Sequence, residues 1–276
     1  MPIDLVDARA LLRHACGVDD AYFIAHADDK LNAEQSAAFA ALIARRAAGE
    51  PVAYIVGTRE FFSLEFKVTP AVLIPRPETE LLVEFALEQM EAERAGSVLD
   101  LGTGSGCVAI SIAKNCPGAK VVAVEQSTAA LAVARENAAR HATPNLELIE
   151  SDWFSALGDR RFDMIVANPP YVAVGDPHLS EGDLPSEPVF ALVAGVDGLD
   201  CIRVIVAAAL RHLNRGGWLA FEHGYDQAGR CRELLAGAGF EEVFSREDLM
   251  GIERISGGRR SAESRPVLDL TRLGTA

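Results

Sequence analysis

The chain has 276 residues, 49% of them hydrophobic and 24% charged, which is typical of a globular protein with one large domain or two modest ones. Its formal net charge of −14 argues against a large nucleic-acid interface, which needs a basic face. The charge would suit a basic protein partner, but taken by itself it favours the simpler explanation of solubility. There is no apolar run long enough to span a bilayer, no secretory pattern at the start and no CxxC pair among five cysteines. We therefore expect a cytoplasmic protein with reduced thiols, no metal site and no membrane partner.

Residues 1–75 predict a small helical domain that ends in a short hairpin. A hairpin is expected at residues 60–68, where polarity alternates. Prolines then mark a linker, and a helix is predicted from about Glu78. The apolar residues that recur at helical spacing are Leu5, Ala8, Leu11 and Leu12 on one face and Phe39, Leu42 and Ile43 on another; Phe61, Phe62 and Phe66 are expected in the core of the hairpin.

Residues 76–260 predict an α/β domain in which strands and helices alternate. Such alternation is typical of a Rossmann-like, mostly parallel sheet with helices on both faces. Residues 261–276 are expected to form a flexible tail. Strands are predicted at 98–101, 120–125, 146–149, 162–167 and 218–222, the last after a Gly216-Gly217 turn, with helices at 107–114, 128–139 and 199–213 and late edge strands near 241–244 and 253–255.

A glycine loop, Asp100-Leu-Gly-Thr-Gly-Ser-Gly106, follows the first strand of this domain and precedes a helix. Its glycines, Gly102, Gly104 and Gly106, let the backbone turn tightly and approach a ligand. The spacing is GxGxG rather than GxGxxG, and the absence of a following Gly-Lys-Ser/Thr excludes a Walker-type phosphate loop. The loop alone is a weak signal, because dinucleotide-binding enzymes use a similar one.

Polar and aromatic residues follow the next two predicted strands. Glu125 ends the second strand, where a carboxylate can accept hydrogen bonds from both hydroxyls of a ribose. Asp152 and Trp153 follow the third strand, where an adenine ring would lie, and Asp100 could orient the loop or bind an ammonium group. Taken singly, these could be a packing loop, a surface acid and a core tryptophan. Together they predict an adenosyl pocket at the carboxyl edge of the sheet.

The tetrapeptide Asn168-Pro169-Pro170-Tyr171 directly follows the fourth strand. The prolines remove two backbone donors and fix two φ angles, which leaves the carbonyls of Asn168 and Pro169 free. The Asn168 side chain adds an acceptor, and Tyr171 offers a flat face for stacking. The alternative is a plain proline turn, but directly after a buried strand the pattern favours a rigid slot for a planar –NH₂ group.

Such a slot suits methyl transfer to an amide or exocyclic amine. The lone pair of this nitrogen is delocalised, and accepting hydrogen bonds from both N–H groups raises its electron density. A sulfonium-bound methyl group is already electrophilic, so neither a metal nor a general base is required. The residues therefore predict an S-adenosylmethionine-dependent methyltransferase in which alignment and electrostatics supply much of the rate.

With these motifs, residues 1–260 resemble the peptide chain release factor N(5)-glutamine methyltransferase family. The matching segments are the linker at 74–80, the loop at 100–106, Ser151-Asp-Trp-Phe154, the tetrapeptide at 168–171, His178-Leu-Ser, Glu187-Pro with Ala191-Leu192, Gly216-Gly217 and Glu222-His-Gly224. The tetrapeptide alone is shared with enzymes that methylate adenine or guanine amino groups. The linker together with the tetrapeptide and the Glu187 segment is far more specific.

The resemblance implies a class I methyltransferase fold, S-adenosylmethionine as cofactor, and the Gly-Gly-Gln glutamine of class I release factors as substrate. The amino-terminal domain would dock the release factor, and we expect a monomer that binds no nucleic acid directly. Glu125 stands where the family often has Asp, and the tail extends beyond the usual end. The implied cofactor-binding residues are Asp100, Gly102, Thr103, Gly104, Ser105, Gly106, Glu125, Trp153 and Asn168; the implied substrate-binding residues are Asn168, Pro169, Pro170 and Tyr171; Asn168, Pro169 and Tyr171 are expected to be catalytic.

Several alternatives remain at this point. Arg76 and Glu78 could pair at the domain junction or lie near the mouth of the site. His178 and Glu187 could line the substrate or lie in a solvated loop, while His223 is expected to be a packed histidine. The tetrapeptide also permits a nucleic-acid amino methyltransferase, which the acidic charge disfavours. A cofactor-binding adaptor and, more distantly, a dehydrogenase are the remaining hypotheses.

Overall fold

The amino-terminal part is a small helical bundle. The computed structural model describes residues 3–26, 28–90 and 96–263, so most of the predicted tail lies outside the described residues. The bundle buries little apolar surface: Leu11 is fully buried, whereas Leu5, predicted on the same face, is 88% exposed. The helices are α1 (Leu5–Cys16), capped by the Asp4 side chain, α2 (Asp20–Ala25), α3 (Ala33–Ala47), which begins with an Asn32/Gln35 capping box, and α4 (Val52–Val56).

A two-stranded antiparallel hairpin follows, formed by β1 (Thr58–Phe61) and β2 (Leu64–Lys67). Phe61 and Phe66 are buried, as expected, and Phe62 packs partly buried beside them. They pack with α5 (Glu80–Gln89) and α6 (Cys107–Asn115) in one cluster. The hairpin therefore contributes to the core of the following α/β unit; the division of the chain at residues 75 and 76 stays a prediction.

A seven-stranded sheet with the order β5-β4-β3-β6-β7-β9-β8 forms the larger unit. Strands β3 to β7 pair in parallel, whereas β9 pairs antiparallel with both β7 and β8. This confirms the predicted mostly parallel α/β fold of the class I methyltransferases. The remaining elements are β3 (Ser97–Leu101), β4 (Lys120–Glu125), α7 (Thr128–His141), β5 (Leu146–Glu150), β6 (Phe162–Ala167), α8 (Asp200–His212), β7 (Leu213–Glu222), α9 (Ala228–Ala238), β8 (Glu241–Glu247) and β9 (Glu253–Arg259).

The structure differs in part from the prediction of a turn at Gly216-Gly217 before a strand at 218–222. Both glycines lie inside β7, which begins at Leu213. The register between β6 and β7 shifts there, and Gly216 has a φ of 75°. A Cβ on Gly217 would lie 2.9 Å from the carbonyl oxygen of Asp163. Between the pairs Phe162–Leu213 and Met164–Trp218, β7 contains three residues more than β6. The glycines therefore lie in an irregular part of the strand, where two backbones come close together.

Helices cover both faces of the sheet and leave open the edge at which the parallel strands have their carboxyl ends. One apolar cluster contains α5, α6 and the hairpin, and the other contains α8 and α9. The chain runs from β3 outward to β5, then returns to β6 on the other side of β3, so the strand order reverses between β3 and β6. Ligands bind at the carboxyl ends of strands at such a switch point. Within the described ranges, no helix is both long and apolar enough to cross a membrane.

Candidate active site

The glycine loop folds against the end of β4. The N–H groups of Gly102 and Thr103 both donate to the carbonyl oxygen of Val124, at 2.9 and 3.0 Å. Gly102, Gly104 and Gly106 have positive φ values of 70°, 56° and 84°, which favour glycine. A Cβ on Gly104 would meet no atom within 4 Å, so this part of the loop is open to a ligand.

Gly106 has a different role from the other two glycines. It does not line the cleft in front of the loop. A Cβ there would lie 2.9 Å from Ile110 Cδ1 and 3.4 Å from Ala134 Cβ. Gly106 therefore allows α6 to pack tightly against α7, the close packing for which the last glycine of such loops is typically used.

Glu125 is buried at the end of β4 and braces the glycine loop. Its carboxylate accepts hydrogen bonds from the backbone N–H groups of Gly104, at 3.0 Å, and Ser127, at 2.9 Å. A carboxylate has about four acceptor positions, so two remain after these bonds. Because Glu125 also lines the cleft, it can accept further hydrogen bonds from a ligand there.

Asp100 is buried beneath the same loop. Burial raises the pKa of Asp100 to about 7, although hydrogen bonds from Thr103 and from the Ala109 backbone act in the opposite direction. Thr103 Oγ1 lies 2.6 Å from Asp100 Oδ2. Asp100 lines the cleft and anchors the loop, so a cationic group bound here would favour its charged form.

Trp153 lies across the cleft after β5. Its φ of 44° is in the left-handed region, which is uncommon for a bulky residue. The Ser151 hydroxyl stabilises the turn by donating to the Trp153 carbonyl at 2.9 Å and accepting from Ala156 N–H at 3.0 Å. The indole ring stands opposite Gly102, where it could pack against a planar ring.

These residues enclose a cleft at the carboxyl edge of the sheet, with about 1060 Å³ of empty space including its open mouth. The open turn of the glycine loop, the hydrogen-bonded carboxylate of Glu125 and the indole ring of Trp153 fit an adenosyl group with a charged tail. The predicted residues that line it are Asp100, Gly102, Thr103, Gly104, Ser105, Glu125, Trp153, Asn168 and Pro170.

A second cavity of about 1390 Å³, including its opening, adjoins the cleft. Asn168 lines both cavities and stands on the wall between them. Tyr171 lines the second cavity only, and Pro169 is buried and lines neither. The tetrapeptide therefore forms part of the boundary between two sites, one for each side of Asn168.

A buried hydrogen-bond network supports the tetrapeptide from behind. Asn168 Nδ2 donates to Thr79 Oγ1 at 3.0 Å, and Thr79 Oγ1 donates to Glu222 Oε2 at 2.6 Å. The Tyr171 hydroxyl donates to Glu222 Oε1 at 2.9 Å. Burial raises the pKa of Glu222, and the charge of Glu222 and burial together raise the pKa of Tyr171 well above its usual value.

Gln227 and Gly198 hold the far end of the tetrapeptide. Gln227 Nε2 donates to the Tyr171 carbonyl at 2.9 Å and to the Asp197 carbonyl at 3.3 Å. Gly198 has a φ of 74° and packs directly against the same Tyr171 carbonyl. A side chain at position 198 would collide with this backbone, so the close approach requires glycine.

Arg76 and Glu187 connect the linker to the loop after the tetrapeptide. The Glu187 side chain is fully buried and forms an ion pair with Arg76. Glu187 Oε2 also accepts from the Ile74 N–H at 3.0 Å. Arg76 thus pairs with Glu187 and borders both cavities, while Glu78 lines the second one. Of the alternatives for Glu187, the solvated loop is excluded.

Arg46 of α3 joins the amino-terminal bundle to the second cavity, which it lines. It forms ion pairs with Asp7 of α1, at 2.6 Å, and with Asp183 of the loop after the tetrapeptide, at 2.7 Å. His178 lies on an exposed part of that loop beside Asp176. His223 is fully buried, and its Nδ1 donates to the Gly224 carbonyl at 2.9 Å, which confirms a packed histidine.

Three residues of this site were given no role from the sequence, although Glu222 belongs to a segment that resembled the family: Thr79, Glu222 and Gln227. Glu222 ends β7 as Glu125 ends β4, so the rule that acids at the ends of parallel strands point to a site could have found it. Thr79 lies in the linker described from the sequence, but nothing in the sequence indicated its hydrogen-bond partner.

Among residues 3–26, 28–90 and 96–263, no cluster of three or more His, Cys, Asp or Glu side chains could hold a metal ion.

Comparison with known proteins gives consistent similarities. Residues 78–180 match the family model described as "Methyltransferase small domain", and residues 2–57 match "PrmC N-terminal domain". A release factor glutamine methyltransferase of Burkholderia pseudomallei is 54% identical over 264 residues, covering 94% of this chain and 93% of that protein. A protein of the same name from Pseudomonas aeruginosa is 50% identical over 258 residues, covering 94% and 93%.

A solved structure adds a comparison of fold. The Thermus thermophilus 16S rRNA N2 G1207 methyltransferase, in complex with AdoMet and guanosine, superposes with a TM-score of 0.56 at 23% identity. The match covers 74% of this chain and 49% of that one. At this identity the similarity concerns the fold alone.

Proposed function

Because this chain belongs to the release factor glutamine methyltransferase family, we propose that it methylates the side-chain amide nitrogen of the Gly-Gly-Gln glutamine of class I peptide chain release factors. The chain is a methyltransferase, and the proposed methyl donor is S-adenosylmethionine. The observation that carries the proposal is the position of Asn168 on the wall between two adjoining cavities. A methyl donor and its acceptor must come into direct contact, and two adjoining cavities that share Asn168 in their linings would allow this.

The cleft in front of the glycine loop is the proposed cofactor site. Bound S-adenosylmethionine supplies a methyl carbon that its sulfonium makes electrophilic. The Glu125 carboxylate would accept hydrogen bonds from the ribose hydroxyls, since two of its acceptor positions remain free. Trp153 would flank the adenine, and buried Asp100 would balance the charge of the amino-acid tail. The turn at Gly102, Thr103, Gly104 and Ser105 would follow the ligand backbone closely; Gly106 would act indirectly by positioning α6.

The second cavity is the proposed entry for the glutamine. Asn168 Nδ2 is engaged by Thr79, so Asn168 Oδ1 is the amide atom available to accept a hydrogen bond from the substrate –NH₂. The Pro169 carbonyl was expected from the sequence to be a second acceptor, but Pro169 lines neither cavity, so the proposal relies on Asn168 Oδ1. Tyr171, held through its hydroxyl by Glu222, would present its ring to the amide plane. Acceptors placed where positive charge develops on nitrogen stabilise the transition state, and fixed alignment reduces the entropic barrier.

Other features of the partner and setting follow from the same proposal. The amino-terminal bundle would dock the release factor, because Arg46 brings α3 to the rim of the second cavity. A net charge of −14 makes a protein partner with basic surface more favourable than a nucleic acid. We expect the enzyme to act as a monomer in the cytoplasm, where release factors work during translation termination.

Mass spectrometry of a purified release factor tests the proposal directly. After incubation with this protein and S-adenosylmethionine, we expect one added methyl group on the peptide that contains Gly-Gly-Gln. A release factor with that glutamine replaced by alanine is the matched control and should remain unmodified. Methylation of RNA without methylation of the release factor, or no transfer to either, would contradict the proposal.

A further inference from the structure

The hydrogen bonds behind the tetrapeptide determine which atom each side chain can present. The hydroxyls of Thr79, at 2.6 Å, and Tyr171, at 2.9 Å, both donate to Glu222, and these two bonds oppose the effect of burial by favouring its ionised form, which only accepts. Glu222 therefore receives the single hydroxyl proton of Thr79. Thr79 Oγ1 can then only accept from Asn168. Of the two terminal atoms of an amide, only the nitrogen can donate, and Asn168 Nδ2 accordingly lies 3.0 Å from Thr79 Oγ1.

The burial of this network makes the constraint strong. Thr79 and Glu222 are each only 2% exposed, so water cannot readily replace either partner. The other oxygen of Glu222 is occupied by the Tyr171 hydroxyl at 2.9 Å. The remaining charged groups that act on Glu222 are Glu78 and Arg254, which line the same second cavity. Reversing the Asn168 amide would place its oxygen opposite a hydroxyl with no proton left to donate.

We infer that Thr79 and Glu222 are positioning residues that orient the Asn168 amide, so that the slot presents an oxygen rather than an –NH₂ group to the substrate nitrogen. This inference rests on the proposed function. With the oxygen presented, the slot pairs with an amide –NH₂ and disfavours a carboxylate of the same shape. Thr79 and Glu222 would therefore set the preference for glutamine over glutamate without touching the substrate.

Isosteric variants separate orientation from folding. Glu222→Gln keeps the shape but allows a donor to face Thr79, so the direction of the hydrogen bonds is no longer determined. Thr79→Val removes the hydroxyl but leaves the charge of Glu222 in place. Thr79→Ser keeps the hydroxyl and should rescue activity. Glu233→Gln, an exposed change on α9, is the matched control for Glu222→Gln.

We expect Glu222→Gln and Thr79→Val to lower kcat by roughly 10- to 100-fold, near or below the effect of losing one preorganised hydrogen bond to a transition state. The affinity for S-adenosylmethionine and the melting temperature should change little in Glu222→Gln. Thr79→Ser and Glu233→Gln should remain close to the wild type. Normal kcat in Glu222→Gln and Thr79→Val, or equal damage in Thr79→Ser, would overturn the inference.

Peptide binding without turnover gives an independent measurement. Two peptides carry Gly-Gly-Gln or Gly-Gly-Glu, and their affinities are compared in each variant. The wild type should prefer the glutamine peptide, and Thr79→Val should lose or invert this preference although Glu222 keeps its charge. An unchanged preference in Thr79→Val would overturn the inference even if methylation of release factors is observed. Loss of the preference in a protein that methylates no release factor would support the inference and reject the proposed function.

Discussion

Replacing Gly198 with alanine should distort the substrate slot from outside the cleft. A Cβ at this position would lie 2.6 Å from Gln227 Nε2 and still closer to the Tyr171 carbonyl oxygen. The φ of 74° adds left-handed strain of about 1–2 kcal/mol for any residue with a Cβ. Overpacking against a backbone that cannot move freely adds roughly 1–3 kcal/mol.

Gly239 provides the matched control for this substitution. It ends α9 with a φ of 94°, and a Cβ there would meet no atom within 4 Å. Gly239→Ala should therefore show the left-handed strain alone, about 1–2 kcal/mol, whereas Gly198→Ala should lose roughly 2–5 kcal/mol. The free energies of unfolding can be compared from urea titrations of both variants and the wild type.

Activity should separate the two variants more clearly than stability. Gly198→Ala displaces the Tyr171 backbone, and a shift of ~1 Å near a reacting group can lower the rate about 100-fold. Gly239→Ala lies far along the chain from the slot and should keep the kcat/KM of the wild type. If both variants show the same urea midpoint and the same kcat/KM, the close approach of Gly198 to Tyr171 is not needed for activity. That result would refute the prediction.

Three further predictions concern the two cavities. Asn168→Ala should keep the free energy of unfolding within about 1–2 kcal/mol of the wild type but lower kcat by about 100-fold or more, and a loss of stability without a loss of kcat would contradict this. Glu125→Ala should chiefly weaken S-adenosylmethionine binding, measured by calorimetry, and unchanged affinity would refute its role. Burial raises the pKa of Asp100 from 3.8 to about 7, so its ionisation opposes folding. The stability of the wild type relative to Asp100→Asn should therefore fall as the pH rises from about 4 to 7, by at most ~4 kcal/mol, and parallel pH profiles would exclude this effect.

The strands and the motifs next to them could be predicted because each is encoded within a short segment. Glycines after β3, an acid after β4 and the tetrapeptide after β6 lie where the fold class puts strand ends, so local patterns were sufficient. Gly216-Gly217 was predicted as a turn but lies in an irregular part of β7, because strand irregularities and turns both use glycine for the same conformational reason. Leu5 was expected to be buried from helical spacing, but the small bundle has no layer on that side to cover it.

Contacts between distant segments could not be predicted in this way. Thr79 meets Glu222 across 143 residues of sequence, and Arg76 meets Glu187 across 111. In neither pair does the separation along the sequence distinguish the two residues from exposed polar residues elsewhere. Only packing of the linker against the sheet brings these groups together, and burial then determines which partners they must have.

The position of β9 affects how the sheet can be completed. Among the strands of the described residues it comes last in the chain, yet it lies between β7 and β8 and bonds to both. Without β9, the edge of β7 would be open and β8 would have no neighbour in the sheet, so a partly folded chain would expose two unpaired strand edges. Pairing of this one strand covers both edges. A substitution that weakens this strand should therefore promote aggregation of partly folded molecules more than its effect on the finished protein suggests.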